Sequence, residues 1–322
     1  MLAARPSRLQ LQPDTVYPCL PGHEVVGRVA RVGSRVSRHR TGDLVGVGCM
    51  MDSCRQCPAC ESGEENYCEG PNSWLATYNG PMVPRAKAPT HENMYGRDNT
   101  DGGYSTSLVV PEDFVLRIPE GLSPEAAAPI LCAAVTTYSP MKHWGVKEGH
   151  HVGIIGLGGL GHLAVKLARA LGAEVTVFTS REDKVAAGRE LGASRVVVEG
   201  DQKATGPLEA SLDFILSTVP KKHDLNRYIP LLKRDRSLVV VGALEPMESV
   251  NNMEMALFRK SIAGPLIGSI AETQEVLDFC ARRRIAPEIE VIPIDRINDA
   301  YERVEKGEVR FRHVIDGGSL KR

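Results

Sequence analysis

The sequence predicts an α/β fold in which a doubly wound parallel sheet is joined to a smaller, β-rich domain. Strand and helix patterns alternate from His151 onward, which is typical of a parallel sheet covered by helices on both faces. The first of these strands runs directly into a G-x-G-x-x-G turn, residues 156–161. Four cysteines are crowded into a polar loop ahead of this alternation, in a part of the chain with short strand patterns.

Composition sets the limits of the interpretation. The chain has 322 residues, enough for two domains of ordinary size, and its 42% apolar and 25% charged content is typical of globular proteins. The net charge of −1 gives no reason to expect binding to nucleic acid or to an anionic membrane. The first ten residues lack a long apolar core, so we expect no secretory signal and predict a cytoplasmic protein.

Short strands are predicted in the N-terminal part. Residues 24–48 alternate apolar and polar positions around glycines, which favours a half-open barrel or a bent sheet. Residues 103–118 return to strand character. A helix is predicted from Pro124, with Ser123 as its N-cap and the proline in its first turn.

The alternating region follows this helix. Its strands are HVGIIG, EVTVFTS, RVVV, LDFILSTV, SLVVVGA and SIAGPLIGS, and their continuous apolar runs indicate burial on both faces. The last part of the chain, from about residue 284, is predicted to form a strand, a helix and a strand that return to the first domain. The predicted domains are therefore residues 1–122 with 284–322, and residues 123–283.

The polar loop has the spacing C-x2-C-x2-C-x7-C, formed by Cys54, Cys57, Cys60 and Cys68. Four thiolates surround Zn²⁺ tetrahedrally and leave no position open, which is the chemistry of a structural zinc site. Disulfides in a secreted loop are the alternative, but cysteines at this spacing in a chain without a predicted signal favour metal. The sequence therefore predicts a structural zinc.

The glycine turn consists of Gly156, Leu157, Gly158, Gly159, Leu160 and Gly161. In this motif the first glycine permits a tight turn, the second lets the backbone approach a pyrophosphate, and the third allows close packing of the helix on the sheet. The N-terminus of the next helix then faces the anion. We predict a dinucleotide site, since the turn joins a strand to a helix as the motif requires.

The end of the next strand decides which dinucleotide is expected. A carboxylate at this point would bond the ribose 2′-hydroxyl of NAD. The strand instead ends in Thr179, Ser180 and Arg181, with Lys184 one turn later, and hydroxyls and cations suit a 2′-phosphate. The sequence predicts NADP(H), although a solvated helix start is an alternative explanation for these cations.

A second metal site is suggested by separate residues. His23 and Glu24 stand just before the first strand, and Cys132 lies in the apolar helix that opens the alternating region. Imidazole, carboxylate and thiolate are zinc ligands, and zinc beside a nicotinamide would act as a Lewis acid on a carbonyl or alkoxide oxygen.

These segments together resemble the zinc-dependent medium-chain alcohol dehydrogenases, and most of all their cinnamyl-alcohol-dehydrogenase-like, NADPH-preferring aldehyde reductase branch. The resemblance is carried by PGHEVVGRV, GDLVGVGCMMDSCRQCPACESGEENYC, LCAAVTTYSP, GLGGLGHLAVKLARALG and the C-terminal segment from LDFCARRR to FRHVID. It implies a GroES-like catalytic domain, a Rossmann domain, a homodimer, and reversible reduction of aldehydes to primary alcohols.

The resemblance also implies roles for residues. The four loop cysteines match the structural zinc lobe, His23 and Cys132 match two catalytic-zinc ligands, and Glu24 matches an adjacent carboxylate that approaches the metal. Further cofactor contacts are implied at Thr136, Ser180, Arg181, Lys184, Val241, Gly242, Ala243, Gly268 and Ser269.

One expected motif is absent from the sequence. Family members carry an N-terminal Cys-His-Ser/Thr-Asp segment that supplies the first catalytic ligand, whereas this sequence starts MLAARPSRLQLQPD. We therefore expect an N-terminally truncated GroES-like domain and a catalytic zinc site that lacks one cysteine, and neither Cys19 nor His39 is expected to replace it. Two alternatives follow: a non-catalytic zinc-stabilised dinucleotide-binding protein, and a zinc-independent quinone or enone reductase.

Overall fold

The computed structural model describes residues 19–70, 75–79, 100–243 and 245–320, and it divides the chain into two compact units. The first unit contains residues 1–132 and 268–322, and the second contains residues 133–267. The second unit is therefore shorter than the predicted second domain, residues 123–283, by about ten residues at its start and about sixteen at its end. The reason is that the helix from Pro124 and the helix from Ile270 both pack on strands of the first unit.

The strands are, in chain order, β1 (Val25–Arg28), β2 (Leu44–Val47), β3 (Met50–Asp52), β4 (Leu75–Ala76), β5 (Leu116–Arg117), β6 (His151–Ile155), β7 (Glu174–Thr179), β8 (Arg195–Val198), β9 (Leu212–Ser217), β10 (Leu232–Val240), β11 (Ser261–Ala263), β12 (Ile289–Pro293) and β13 (Arg312–Asp316). The α-helices are α1 (Pro58–Glu61), α2 (Pro124–Pro129), α3 (Val135–His143), α4 (Gly161–Ala170), α5 (Val185–Glu190), α6 (Gln202–Thr205), α7 (Asn252–Phe258), α8 (Ile270–Arg283) and α9 (Ile297–Glu305). Short 3₁₀ turns lie between several of them.

The first unit is rich in short β-strands. β1, β2 and β5 form an antiparallel sheet in that order, and β3 pairs with β4. The C-terminal strand–helix–strand prediction is confirmed, because β12 and β13 pair in parallel and α9 lies between them in the chain. A parallel pair needs such a crossover, since a tight hairpin reverses the chain direction.

The second unit is a six-stranded parallel sheet in the order β11-β10-β9-β6-β7-β8. This order confirms the predicted doubly wound fold. The central strand β9 is buried along its whole length, as expected when helices cover both faces of a sheet. Phe214 and Ile215 of β9 are among the largest fully buried side chains.

The predicted helix from Pro124 is not continuous. Ser123 caps α2 as predicted, since its hydroxyl accepts from the backbone N–H of Ala126 at 3.2 Å. A π turn over Ile130–Ala134 then separates α2 from α3. Pro129 has no N–H to donate to the carbonyl four residues back, so the regular hydrogen-bond ladder is lost where the π turn begins. This turn carries Cys132.

Across the described ranges, no helix combines the length and the apolar character that a bilayer crossing requires.

Candidate functional site

The four-cysteine loop, which comprises Cys54, Cys57, Cys60 and Cys68, brings its sulfur atoms within 4.8 Å of one another. The Sγ atoms of Cys54 and Cys60 are 3.9 Å apart, and those of Cys57 and Cys68 are 4.0 Å apart. Tetrahedral zinc with Zn–S bonds of 2.3 Å requires S–S distances of about 3.8 Å. The donor set and its spacing therefore fit a structural zinc.

Backbone N–H groups of the loop point at the sulfur atoms. Cys54 donates to Cys68 Sγ at 3.4 Å, and Glu69 donates to Cys57 Sγ at 3.3 Å. Hydrogen bonds from the backbone N–H groups of Cys60 and Glu69 lower the pKa of Cys57 to about 6. Burial acts in the opposite direction on Cys68 and raises its pKa to about 12. The loop thus supplies part of the stabilisation that thiolate ligands need.

A second group, which we call the three-ligand cluster, consists of His23, Cys49 and Cys132, and one ligand atom from each lies within 4.8 Å of the others. His23 precedes β1, Cys49 stands between β2 and β3, and Cys132 lies in the π turn. The structure therefore brings the predicted ligands His23 and Cys132 together. Cys49 was not predicted from the sequence, where it directly follows VGVG but has no distinctive spacing from the other candidate ligands.

The cluster is electrostatically coupled. A hydrogen bond from Cys49 holds the pKa of Cys132 well below its usual value, whereas that bond and burial raise the pKa of Cys49. Burial alone would lower the pKa of His23, but the charge of Cys132 and its hydrogen bond outweigh burial and raise it to about 9. One imidazole and two sulfurs form a donor set that suits zinc.

Glu24 has a different partner. Its Oε2 accepts a hydrogen bond from Nη2 of Arg312 on β13, and both side chains are largely buried. Its Oε1 is buried and has no hydrogen-bond partner among the described residues. Burial raises the pKa of Glu24 against the opposing charge of Arg312. Glu24 does not join the three-ligand cluster within the described part of the chain, and its role as a ligand remains a prediction.

One aromatic side chain contacts this cluster, and two others are hydrogen-bonded to each other in the same unit. The ring of Tyr78 stacks on His23 with 5.5 Å between centroids and 22° between planes. The hydroxyl of Tyr301 donates to that of Tyr104 at 3.3 Å, and burial raises the pKa of Tyr104. Of the other candidate ligands, Cys19 and His39 are described and belong to neither group of ligand atoms.

The glycine turn adopts the form that a dinucleotide site needs. Gly156 has a φ of +90°, and a Cβ on Gly161 would lie 2.0 Å from the carbonyl oxygen of Gly156. A Cβ on Gly158 would meet no atom within 4 Å, so the protein itself does not demand glycine there. Open space at this position is what a pyrophosphate approaching the backbone requires. The turn connects β6 to α4 as predicted.

The predicted 2′-phosphate residues follow β7. The guanidinium of Arg181 donates from Nε to Oδ1 of Asp183 at 2.9 Å, and this pairing lowers the pKa of Asp183. Both side chains are exposed, so the pair contributes little to stability. Ser180 is exposed, and Lys184 ends the 3₁₀ turn that begins at Glu182.

The remaining predicted contacts fall in both units. Thr136 is buried on α3, and Val241 donates its N–H to the carbonyl of Ser217 at 2.9 Å, which joins the ends of β10 and β9. Gly242 and Ala243 follow in the same unit. Gly268 and Ser269 belong to the first unit, where Ser269 forms a capping box with Glu272 at the start of α8. This second role was not predicted.

Two family models match the chain. The alcohol dehydrogenase GroES-like domain matches residues 7–120, and the zinc-binding dehydrogenase model matches residues 159–282. NADP-dependent alcohol dehydrogenase C 1 of Mycolicibacterium smegmatis is 48% identical over 305 residues, which covers 95% of this chain and 84% of the relative. The chain belongs to the zinc-binding alcohol dehydrogenase family.

Other members of the family are similarly related. Aldehyde reductase YahK of Escherichia coli is 47% identical over 308 residues, covering 95% of this chain and 84% of the relative. A cinnamyl alcohol dehydrogenase structure from Sorghum bicolor superposes with a TM-score of 0.87 at 42% identity, over 96% of this chain and 84% of that one. The Helicobacter pylori enzyme complexed with NADP(H) gives a TM-score of 0.83 at 36% identity, over 94% and 83%. The GroES-like and Rossmann assignments are thereby confirmed.

Proposed function

We propose that this dehydrogenase interconverts aldehydes and primary alcohols with NADP(H) and a catalytic zinc, and that it favours aldehyde reduction. The observation that carries the proposal is the convergence of His23 and Cys132 in one unit of a chain whose other unit holds the glycine turn. The family membership and the relatives named as NADP-dependent alcohol dehydrogenases and aldehyde reductases support the same reaction.

Each predicted group has a distinct role in this proposal. Bound zinc would act as a Lewis acid on the substrate oxygen, and bound NADPH would supply the hydride. His23 and Cys132 would hold the metal. Glu24 is kept in place by Arg312, and its unpartnered Oε1 is the atom with which it would approach the metal. The four-cysteine loop would hold a second, structural zinc that has no position for substrate.

The choice of NADP(H) rests on the end of β7. The residues Thr179, Ser180 and Arg181 place no carboxylate at the point where an NAD enzyme would bond the 2′-hydroxyl. The following turn contains two acids, Glu182 and Asp183. Asp183 is paired with Arg181, so its charge is already opposed by a cation. Lys184 adds a second positive charge close by.

A homodimer and a cytoplasmic location complete the proposal. In the second unit, β11 is an outer strand of the sheet in the described residues, and it offers backbone groups for pairing. Helix α7 exposes Met253, Leu257 and Phe258, which a second copy of the chain would cover in a dimer that uses this helix. Light scattering on the purified chain at several concentrations tests the dimer.

Metal analysis combined with an activity assay tests the reaction. Purified protein is assayed for zinc and for NADPH oxidation with benzaldehyde- and cinnamaldehyde-type substrates. Two zincs per chain with turnover is the expected result. One zinc with NADPH binding but no turnover would identify a non-catalytic dinucleotide-binding protein. Absence of zinc with reduction of enones would identify a zinc-independent reductase.

A further inference from the structure

The three-ligand cluster contains one more zinc-binding side chain than the resemblance assigns. We propose that Cys49 is a ligand of the catalytic zinc, alongside His23 and Cys132. This assignment rests on the proposed function, and it takes all three donors from described residues. Two thiolates and one imidazole are a known set for catalytic zinc, and they leave a fourth position for substrate.

The spacing of the donors supports the assignment. Zinc bonded at about 2.3 Å to sulfur and about 2.0 Å to nitrogen requires donor–donor distances of about 3.5–3.8 Å. The three atoms already lie within 4.8 Å of one another. Small side-chain movements, of about 1 Å, would bring them to the distances that zinc requires. The four-cysteine loop meets the same criterion, with two S–S distances of 3.9 and 4.0 Å, and serves as an internal reference.

The backbone holds Cys49 in this position. The carbonyl of Cys49 accepts from the N–H of Thr77 at 2.9 Å, and the Thr77 hydroxyl donates to the carbonyl of Gly48 at 2.5 Å. A Cβ on Gly48 would lie 2.7 Å from the carbonyl oxygen of Leu131, so the segment before Cys49 packs directly on the turn that carries Cys132. These contacts hold the main chain at Cys49 and keep it packed against the turn that carries Cys132.

The competing interpretation gives Cys49 a supporting role. In that case its thiol keeps the proton and donates a hydrogen bond to Cys132, which alone bonds the metal through sulfur. The two interpretations differ in the number of sulfur atoms on the catalytic zinc. Activity measurements alone do not separate them, because either role affects turnover.

Metal binding to the full chain separates the two roles. Cys49→Ala and Cys49→Ser are compared with the wild type and with Cys19→Ala, a control cysteine of the same unit that belongs to neither cluster. Zinc content is measured, and zinc affinity is titrated against a chromogenic chelator. We expect both Cys49 variants to lose one zinc or to bind it more than about 100-fold more weakly, since loss of a group that only hydrogen-bonds to a ligand already costs about 10–100-fold. The control should keep both zincs.

Cobalt substitution counts the thiolates directly. Thiolate-to-Co²⁺ charge-transfer absorption grows with the number of bound thiolates. At the catalytic site, this absorption should fall by about half or disappear in Cys49→Ala. Unchanged absorption, zinc content and affinity in both Cys49 variants would overturn the assignment.

X-ray absorption of the wild type covers the case in which the variants do not fold. With Cys49 bound, the average over both zincs is about three sulfurs, and without it about two and a half. A parallel Cys132→Ala variant distinguishes the two proposals. Loss of zinc and activity in Cys132→Ala with an intact Cys49→Ala site would leave the proposed function standing and reject the ligand role of Cys49. Retention of both zincs and full activity in Cys132→Ala would reject the proposed function itself.

Discussion

The two thiolate clusters of the first unit are built in opposite ways. The four-cysteine loop takes every donor from the segment between Cys54 and Cys68, whereas the three-ligand cluster combines residues that precede β1, follow β2 and lie in the π turn. In the proposed assignments, the loop would surround zinc with four donors, whereas the cluster would supply three and leave one position for substrate. A local, closed site stabilises structure, and a site assembled from distant segments depends on the tertiary fold and can react.

The groups around the two clusters also differ in how far away in the sequence they lie. Backbone N–H groups of the loop itself support its sulfur atoms. The three-ligand cluster instead lies beside Glu24, whose carboxylate is paired with Arg312 from the far end of the chain. Substituting one side chain at a time in or beside each cluster should therefore separate effects on stability from effects on catalysis.

Cys132→Ser is expected to have the largest effect. Loss of this proposed catalytic-zinc ligand should lower kcat/KM for aldehyde reduction by about 10³-fold or more, about 4 kcal/mol of transition-state stabilisation. Steady-state kinetics with NADPH and zinc analysis provide the measurement, and one structural zinc should remain. Cys280→Ser, a buried thiol outside both clusters, is the control. Near-normal kcat/KM in Cys132→Ser would contradict the catalytic role of this cluster.

Arg312→Gln is expected to destabilise the first unit by about 3 kcal/mol, because it leaves the buried Glu24 carboxylate without its cation. Urea unfolding at pH 8 measures the change. The double variant with Glu24→Gln should recover much of the loss, since it removes the uncompensated charge. Equal destabilisation of the single and double variants would show that packing, rather than charge pairing, gives Arg312 its importance.

Cys57→Ser should mainly affect stability. Loss of one of four ligands of the structural zinc is expected to lower the free energy of unfolding by about 2–3 kcal/mol and to expose the loop to proteases. Limited proteolysis with mass spectrometry locates cleavage between residues 54 and 70. The catalytic zinc and the kcat of the folded fraction should be kept. A fall in kcat comparable to that of Cys132→Ser would erase the distinction between the clusters.

Asp213 tests whether a buried carboxylate outside the metal clusters behaves differently from Glu24. Asp213 on β9 accepts from Lys233 Nζ at 2.8 Å and from the backbone N–H of His151 at 3.0 Å. Its pKa is lowered, because these hydrogen bonds and the charge of Lys233 outweigh the effect of burial. Burial prevails at Glu24, where the pKa is raised. Asp213→Asn should therefore cost about 2 kcal/mol at pH 7.

The pH dependence of this cost follows from the sign of the shift. A carboxylate with a lowered pKa in the folded state stabilises the protein above its unfolded pKa of about 3.9, and this contribution is lost as the pH falls through the folded pKa. The stability gap between wild type and Asp213→Asn should thus be constant near neutrality and shrink below about pH 4. Urea titrations followed by tryptophan fluorescence, to which Trp144 near Phe214 of β9 contributes, measure it. A gap independent of pH would exclude a charge effect.

Arg181→Ala should have the smallest effect and leave both metal clusters unchanged. Removal of this cation is expected to raise KM for NADPH by about tenfold, about 1.4 kcal/mol, and to leave KM for NADH nearly unchanged. The unpaired Asp183 carboxylate would add repulsion toward a 2′-phosphate. The matched control is Arg189→Ala on α5. A parallel rise in KM for both cofactors would argue against recognition of the 2′-phosphate by Arg181.

What the sequence revealed depends on how local each feature is. The four-cysteine loop and the glycine turn were predicted because the spacing within a short segment carries their chemistry. The parallel sheet was predicted from its alternating pattern. The role of Arg312 was missed because its partner Glu24 is 288 residues away. Neither segment has a sequence pattern that predicts this ion pair. Only the tertiary fold brings such groups together.

Cys49 and the π turn were missed for related reasons. One more cysteine near a cysteine-rich loop has no distinctive spacing, and its closeness to Cys132 arises from packing of the β2 end on another segment. The π turn follows Pro129, but a proline within an apolar helix pattern predicts a break without predicting its form.

Gly48 shows how a residue without a side chain sets the distance between two segments that carry proposed zinc ligands. Its bare Cα faces the carbonyl oxygen of Leu131, and a methyl group there would meet that oxygen at 2.7 Å. An alanine at this position would push the segment that carries Cys49 away from the turn that carries Cys132. All the metal-binding side chains would still be present in the sequence. A survey of variants that considered only coordinating side chains would therefore class this protein as unchanged, although its proposed zinc ligands had been moved apart.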